Sequence, residues 1–120
     1  MLVAPGDRHL TFVEHDGELV VVLDPEPSDT LHRPSVDVTM QSAAALRGRR
    51  SAGVLLTGMG IDGAWGMWSI RARGGWTLAE SEESCVVYGM PRAAVELGAA
   101  SEVVPLDKMA AHLAAAVAGR

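Results

Sequence analysis

The stretch AGVLLTGMGIDG, residues 52–63, decides the fold. It opens with a nearly all-apolar run, residues 52–57, which is typical of a parallel strand covered on both faces. Three glycines and Asp62 follow, and the next residues favour a helix that begins near Asp62 or Gly63 and ends at Gly74-Gly75. A buried strand, a glycine-rich turn and a helix in this order predict an α/β architecture.

Helix and strand patterns alternate on both sides of this stretch. Before it, apolar residues at three-to-four spacing predict an amphipathic helix that begins near Ser35 and ends at Gly48. We therefore predict one α/β domain over residues 1–120, a partial doubly wound, mainly parallel sheet with right-handed crossovers and helices on both faces. The later elements are a strand at 76–79, a partly extended segment at 86–88, a helix that Met90-Pro91 opens and Gly98 ends, a strand at 102–105 and a terminal helix at 106–117.

The amino-terminal third has a different pattern. Residues 2–4 predict a short strand that Pro5-Gly6 breaks with a tight turn. Residues 10–13 and 19–23 are β-rich runs, and Asp16-Gly17 between them supplies the geometry of a hairpin turn. We expect this N-terminal β-hairpin to add an antiparallel margin to the sheet. Residues 24–34, with three prolines and no periodicity, predict a surface loop.

Composition excludes several classes of function. The chain has 15 acidic and 10 basic side chains, a net charge of −5, and only Arg47, Arg49 and Arg50 cluster, so the basic stripe that binds nucleic acid is missing. The single Cys85 excludes an internal disulfide or a thiolate zinc site. No leader or long apolar run is visible, and we expect a soluble, cytoplasmic protein that inserts into no membrane and uses no cofactor or metal.

The loop Gly58–Gly63 is the strongest functional signal. Its six residues match the G-x-G-x-x-G dinucleotide fingerprint, and Glu80 stands near the position of a ribose-binding acid. Asp62 argues against that reading, because a carboxylate at the helix start occupies the positive end that a pyrophosphate needs. About fifty residues also precede the strand, whereas the fingerprint strand normally opens its βαβ unit.

Asp62 has two compatible interpretations. As an N-cap it accepts the unpaired N–H groups of the helix that follows it, which is worth about 1 kcal/mol. As the third member of a nucleophile, base and orienter set, it accepts a bond from a histidine Nδ1–H and stabilises the imidazolium. A carboxylate has two oxygens, so the residues alone do not separate these roles.

Five motifs stand in order along the chain: VAPGDRHL (3–10), HRPSVDV (32–38), GVLLTGMGIDGAWGM (53–67), ESEESCVVYGMPRAA (80–94) and SEVVPLD (101–107). Together they closely resemble the chemotaxis protein-glutamate methylesterase family, of the CheB type. The resemblance covers nearly the whole chain. It implies a carboxylic ester hydrolase that removes methyl groups from glutamate methyl esters on the cytoplasmic helices of chemoreceptors, releases methanol, and deamidates certain receptor glutamines.

The resemblance also assigns residues. The family's triad is Ser, His and Asp, and its aspartate falls on Asp62. The family's serine and histidine stand upstream of the motif with which this chain starts, so the likeness implies the carboxyl-terminal half of a catalytic domain without a receiver domain. We expect such a half to be inactive alone, and to associate with itself or with an amino-terminal fragment through an exposed sheet edge. The alternative is a non-catalytic interaction module.

Two backbone groups and two side chains are further candidates. The N–H groups of Met59 and Gly60 stand at the mouth of the loop, where such donors stabilise oxyanions in acyl transfer. His9 belongs to a family motif and is either a structural loop residue hydrogen-bonded near the site or a substrate contact. Arg33 either belongs to the substrate rim or forms a surface ion pair with Asp37 beside a helix that Ser35 caps.

The remaining polar and apolar candidates favour structural roles. No serine lies in a glycine-rich elbow, and the histidines lack metal-type spacing. Cys85, beside two valines, is expected to be a small buried hydrophobe. Met90-Pro91 and the Trp65/Trp68 pair are interpreted as packing, with both tryptophans near one helix face. The serines expected to be caps or turn residues are Ser35, Ser42, Ser51, Ser81, Ser84 and Ser101, and the dispersed histidines are His9, His15, His32 and His112.

Overall fold

A computed structural model describes residues 1–119. A short 3₁₀ turn, Glu82–Ser84, follows the fourth strand. The strands and helices, numbered in chain order, are β1 (His9–His15), β2 (Glu18–Asp24), α1 (Val36–Ala44), β3 (Ala52–Leu55), α2 (Ala64–Ala72), β4 (Trp76–Glu80), α3 (Met90–Leu97), β5 (Glu102–Val104) and α4 (Leu106–Gly119). Among the described residues, no helix is both long and apolar enough to cross a membrane.

The parallel sheet has the order β3-β4-β5, as the alternating pattern predicts. Neighbouring residues of a strand face opposite sides of the sheet, and both sides are covered. Leu55 packs with α1, α2 and α3 on one face, while Val54 joins Leu78, Val104 and α4 on the other. The α/β prediction is therefore confirmed, with helices on both faces.

The hairpin forms, but the expectation that it adds a margin to the sheet is wrong. β1 and β2 make a separate two-stranded antiparallel sheet, joined by Asp16 and Gly17 at φ 53° and 79°, the left-handed region that a two-residue hairpin turn requires. This sheet packs on α1, where the Phe12 N–H donates to the Ser42 hydroxyl at 3.0 Å. The predicted strand at residues 2–4 is also absent, because no neighbouring strand pairs with it in the described chain.

The predicted boundaries of α3 are confirmed, whereas for α1 only the predicted start is. Ser35 caps α1 as predicted, with its hydroxyl accepting from the Val38 N–H at 3.3 Å. The helix ends at Ala44, before the predicted stop at Gly48. For α3 both sequence signals hold, since a proline stands in its first turn and Gly98 ends it at φ 76°.

Candidate active site

The loop after β3 is fixed to the sheet before it reaches Asp62. Gly58 and Tyr88 form a parallel bridge, in which the Gly58 N–H donates to the Val87 carbonyl at 2.9 Å and the Gly58 carbonyl accepts from the Gly89 N–H at 2.9 Å. Of the segment predicted to be partly extended at residues 86–88, only Tyr88 pairs, through this isolated bridge. The loop therefore starts from a defined position at the carboxyl end of the strands, where open α/β sheets collect functional groups.

Asp62 caps a helix, but not the helix that follows it. Its Oδ2 accepts from the Val36 N–H at 2.7 Å, and its Oδ1 accepts from the Asp37 N–H at 2.9 Å and the Ser35 hydroxyl at 3.0 Å. With Ser35 bound to the Val38 N–H, the first three amides of α1 all have acceptors. The expectation that Asp62 caps its own helix is wrong, since the N-cap of α2 is Gly63.

Asp37, in turn, caps α2. Its Oδ1 accepts from the Gly63 N–H at 3.0 Å and from the Gly66 N–H at 2.7 Å. The first turn of α1 and the residue before the N-cap of α2 therefore each supply a carboxylate that caps the other helix, an arrangement we call the cap exchange. Burial, and secondarily the nearby charge of Asp62, raise the pKa of Asp37, while its backbone hydrogen bonds oppose that rise.

Two glycines let the helices approach closely enough for this exchange. A Cβ on Gly66 would lie 2.6 Å from the Met40 Cβ and 3.2 Å from the Asp37 Cα. Gly63 adopts φ +104°, and a Cβ there would lie 2.6 Å from the Leu55 side chain. The spacing G-A-W-G thus has a physical cause, because both glycine positions require the absence of a side chain.

An open groove of about 520 Å³ lies beside the Asp62 carboxylate. Ser35, Asp37 and Asp62 line its polar part, and Leu31 and Ile61 contribute apolar surface. A carboxylate offers about four acceptor positions, and Asp62 uses three of them. Among residues 1–119, one position on Oδ2 therefore has no donor, and it is open to one such as an imidazole Nδ1–H.

Met59 and Gly60 present backbone donors at the mouth of the loop. Both residues are exposed, and Gly60 turns the chain at φ +95°. Within residues 1–119, neither of their N–H groups has an acceptor within hydrogen-bond distance. Such free donors have the chemistry that an oxyanion site requires.

His9 and Ser35 lie close to Asp62 without forming a triad. His9 is fully buried, and its Nδ1 accepts from the Ser35 backbone N–H at 3.1 Å while its Nε2 lies 2.8 Å from the Pro27 carbonyl. These partners match the tautomer protonated at Nε2. The ring thus accepts from the Ser35 amide and does not contact its hydroxyl, so it fixes the backbone at the N-cap of α1. Its position favours the structural reading over substrate contact.

Arg33 and Cys85 stand apart from the carboxylate. Arg33 is exposed and donates to the Pro25 carbonyl at 3.2 Å, and the ion pair expected with Asp37 does not form, because the Asp37 carboxylate faces α2. The Cys85 thiol is half-buried and donates weakly to the Glu80 carbonyl. Burial and the nearby Glu80 raise its pKa, which favours the unreactive thiol.

The two tryptophans differ from the packing interpretation. Trp65 and Trp68 share one face of α2 and meet edge to face, with ring centroids 6.3 Å apart. They are 56% and 47% exposed, so they pack against each other and not in the core. Among the described residues, no group of three or more His, Cys, Asp or Glu side chains is placed to hold a metal ion.

Comparison with known proteins identifies the family. A family model described as CheB methylesterase matches residues 1–113. The chain belongs to the CheB methylesterase family. It is 53% identical over 112 residues to a Pseudomonas aeruginosa protein-glutamate methylesterase/protein-glutamine glutaminase 2, covering 93% of this chain and 32% of that protein. A Vibrio vulnificus protein of the same name is 51% identical over 107 residues, covering 89% and 31%.

The fold is that of a solved CheB catalytic domain. The crystal structure of the Thermotoga maritima CheB methylesterase catalytic domain superimposes with a TM-score of 0.85 at 38% identity, covering 91% of this chain and 58% of that one. This chain spans about a third of the length of its Pseudomonas and Vibrio relatives. The cap exchange therefore belongs to a CheB methylesterase fold, of which these residues form a part.

Proposed function

We propose that this chain supplies the orienting aspartate of a protein-glutamate methylesterase, with Asp62 holding the imidazole of a catalytic histidine. The proposal rests on how the Asp62 carboxylate is hydrogen-bonded and exposed. Three hydrogen bonds fix it at the carboxyl end of β3, beside an open groove, with one acceptor position left. The relatives' name, protein-glutamate methylesterase/protein-glutamine glutaminase, indicates esters and amides of glutamate side chains as substrates, and we extend this to chemoreceptors.

The nucleophile and the base come from another segment. Within residues 1–119, no histidine nitrogen bonds to Asp62 or to a serine hydroxyl, and Ser35 is buried and spent on capping. The Thermotoga catalytic domain extends well beyond the part that this chain matches. We therefore expect this chain alone to be inert.

The outer edge of β3 is the place where that segment fits. In the described chain β3 pairs with β4 alone, so its other side offers unpaired backbone groups. A parallel strand added there would end beside Asp62, since parallel strands share their carboxyl end. Without such a strand, the same edge favours self-association of this chain, which size-exclusion chromatography would show as a dimer or larger species.

The proposed reaction is acyl transfer through an acyl-enzyme. The serine Oγ attacks the methyl ester carbonyl while the histidine takes its proton, and Asp62 stabilises the resulting imidazolium. The N–H groups of Met59 and Gly60 donate to the oxyanion of the tetrahedral intermediate. The imidazolium returns the proton to the leaving methoxide, which departs as methanol. Water then attacks the acyl-enzyme with the same histidine as base, and glutamate and free serine are restored.

Methanol release from a glutamate methyl ester peptide tests the proposal. The chain is assayed alone and after mixing with the amino-terminal part of the Pseudomonas relative's catalytic domain. We expect turnover only in the mixture, lost with Asp62→Asn and kept with Asp107→Asn, which changes an exposed carboxylate at the start of α4. Hydrolysis by the chain alone that Asp62→Asn abolishes would contradict the external nucleophile. Unchanged methanol release by a mixture that contains Asp62→Asn would contradict the role of Asp62.

A second candidate, a non-catalytic interaction module, is favoured by the exposed tryptophans. Trp65 and Trp68 present apolar surface on α2 next to the site loop, and large exposed aromatic residues are enriched in contacts between proteins. A pull-down with receptor cytoplasmic helices discriminates the two functions. Binding that Trp65→Ser/Trp68→Ser abolishes, without turnover in the complemented mixture, would favour the module.

A further inference from the structure

Asp37 contacts the Asp62 region at two points. Its backbone N–H donates to the Asp62 Oδ1 at 2.9 Å, and its own carboxylate accepts from the N–H of Gly63, the residue that follows Asp62, at 3.0 Å. The first bond fixes the side chain of Asp62, and the second fixes the peptide group between Asp62 and Gly63. A third bond, from the Gly66 N–H at 2.7 Å, anchors the Asp37 carboxylate to the first turn of α2.

This placement is costly, which distinguishes it from an ordinary helix cap. A neutral Asn would cap α2 without placing a second carboxylate beside Asp62. Burial and the charge of Asp62 both disfavour ionised Asp37, and the backbone N–H groups at the start of α2 offset this cost. The short reach of the aspartate brings Gly63 and Gly66 to one oxygen, Oδ1.

We propose that Asp37 is a positioning residue, which acts through the cap exchange to hold the Asp62 carboxylate in the orientation that a catalytic imidazole requires. The proposal rests on the proposed function of Asp62. It assigns the role to hydrogen-bond acceptance by Oδ1, and not to the negative charge. An asparagine at position 37 retains that oxygen, whereas an alanine removes it.

Amide hydrogen exchange on this chain tests the positioning without any need for activity. The reporter is the Val36 amide, whose acceptor is the Asp62 Oδ2. We expect exchange at Val36 to become about tenfold faster in Asp37→Ala and to stay within about threefold of wild type in Asp37→Asn, because only the first variant removes the acceptor of the Gly63 and Gly66 amides. The matched control is Asp107→Ala, which makes the same change at an exposed first-turn position of α4.

The exchange pattern also identifies the opposite result. If Asp37→Ala accelerates only the Gly63 and Gly66 amides and leaves Val36 unchanged, Asp37 merely caps α2 and the proposal is wrong. Amides of β4 report whether each variant is folded. Should Asp37→Ala fail to fold, Asp37→Ser takes its place with the same expected acceleration at Val36, since its shorter side chain does not reach both amides.

The complemented mixture supplies a second readout. We expect Asp37→Ala to lower kcat about ten- to a hundredfold with KM within twofold, and Asp37→Asn to restore most of kcat, as misplacement of a catalytic group by about 1 Å does. Equal damage by both variants would overturn the assignment to hydrogen-bond acceptance. If the wild-type mixture itself is inactive, the proposed function fails, and the exchange experiment still decides whether Asp37 positions Asp62.

Discussion

Two carboxylates follow neighbouring strands of the same sheet, and their surroundings are opposite. Glu80 ends β4 at 1% exposure, with its oxygens accepting from the Thr57 N–H at 2.7 Å and the Ser84 hydroxyl at 2.8 Å. Asp62 follows β3 beside an open groove, with an acceptor position to spare. The carboxyl edge of a parallel sheet thus gathers acidic groups for two purposes. Glu80 links the segments that contain Thr57 and Ser84, and Asp62 presents a carboxylate oxygen of fixed orientation to the groove.

The contrast also disposes of the dinucleotide reading. That reading needs a carboxylate at the end of β4 that faces a ribose hydroxyl. Glu80 is instead enclosed by the loops it binds, and the start of α2 is occupied by the Asp37 carboxylate. An anion of this kind at the helix N-terminus repels a pyrophosphate.

The largest expected effect is on turnover at the Asp62 side of the comparison. Asp62→Asn in the complemented mixture is expected to lower kcat by about 10⁴, because an amide selects the wrong imidazole tautomer. Glu80→Gln, assayed where the chain remains folded, is expected to change kcat less than about threefold. Initial rates of methanol release measure both. A comparable loss in the two variants would remove the functional difference between the carboxylates.

Stability should show the reverse order. Glu80→Ala is expected to lower the free energy of unfolding by about 3 kcal/mol, since it removes a buried side chain that accepts from the Thr57 N–H and the Ser84 hydroxyl. Asp62→Ala is expected to cost about 1 kcal/mol, because water in the groove can reach the freed amides of α1. Urea denaturation of each variant gives the two values. A larger loss for Asp62→Ala would contradict the division of roles.

Gly66→Ala should disturb one carboxylate and leave the other in place. The added methyl would overlap Met40 and push α1 from α2, which we expect to cost about 2 kcal/mol. Gly6→Ala is the matched control, because its Cβ meets nothing within 4 Å. In NMR spectra the amide shifts of Val36 should move, while that of Thr57, which donates to Glu80, should not. Unchanged stability would show that the helices separate freely.

The smallest effect is a pH dependence confined to the Asp62 end. The folded state raises the pKa of Asp37, so native Asp37 binds its proton more tightly than the unfolded chain does. Its ionisation therefore costs stability as pH rises through the window just above the ordinary value of 3.8. Relative to wild type, Asp37→Asn should gain stability between pH 3 and pH 7. Urea midpoints at both pH values check the sign, and a constant difference would contradict it.

The features of the fold that depend on residues close in sequence were predicted correctly. The Asp16-Gly17 turn, the proline at the start of α3 and Gly98 at its end each act within a few residues, and all were predictable. The strand at residues 2–4 was predicted wrongly because strand formation needs a partner, which apolar composition does not supply. The same limit applies to the hairpin, whose placement on α1 depends on tertiary packing.

The position of the candidate site was predictable from the sequence, but the hydrogen bonds that connect its residues were not. The loop before α2 and the residue Asp62 emerge from the strand–glycine–helix pattern alone. The cap exchange does not, because its hydrogen bonds join residues 25 to 29 positions apart. The one available signal was the pair of small-residue positions, Gly63 and Gly66, which indicate that another backbone comes close.

Because each of α1 and α2 carries the other's cap, the exchange constrains how this protein can be recombined with its relatives. A chimaera whose crossover falls between residues 45 and 61 takes one helix from each parent, and both interhelical caps then depend on residues from different parents. A crossover after α2 keeps both caps within one parent. Breakpoints for hybrid enzymes should therefore be placed beyond Ala72.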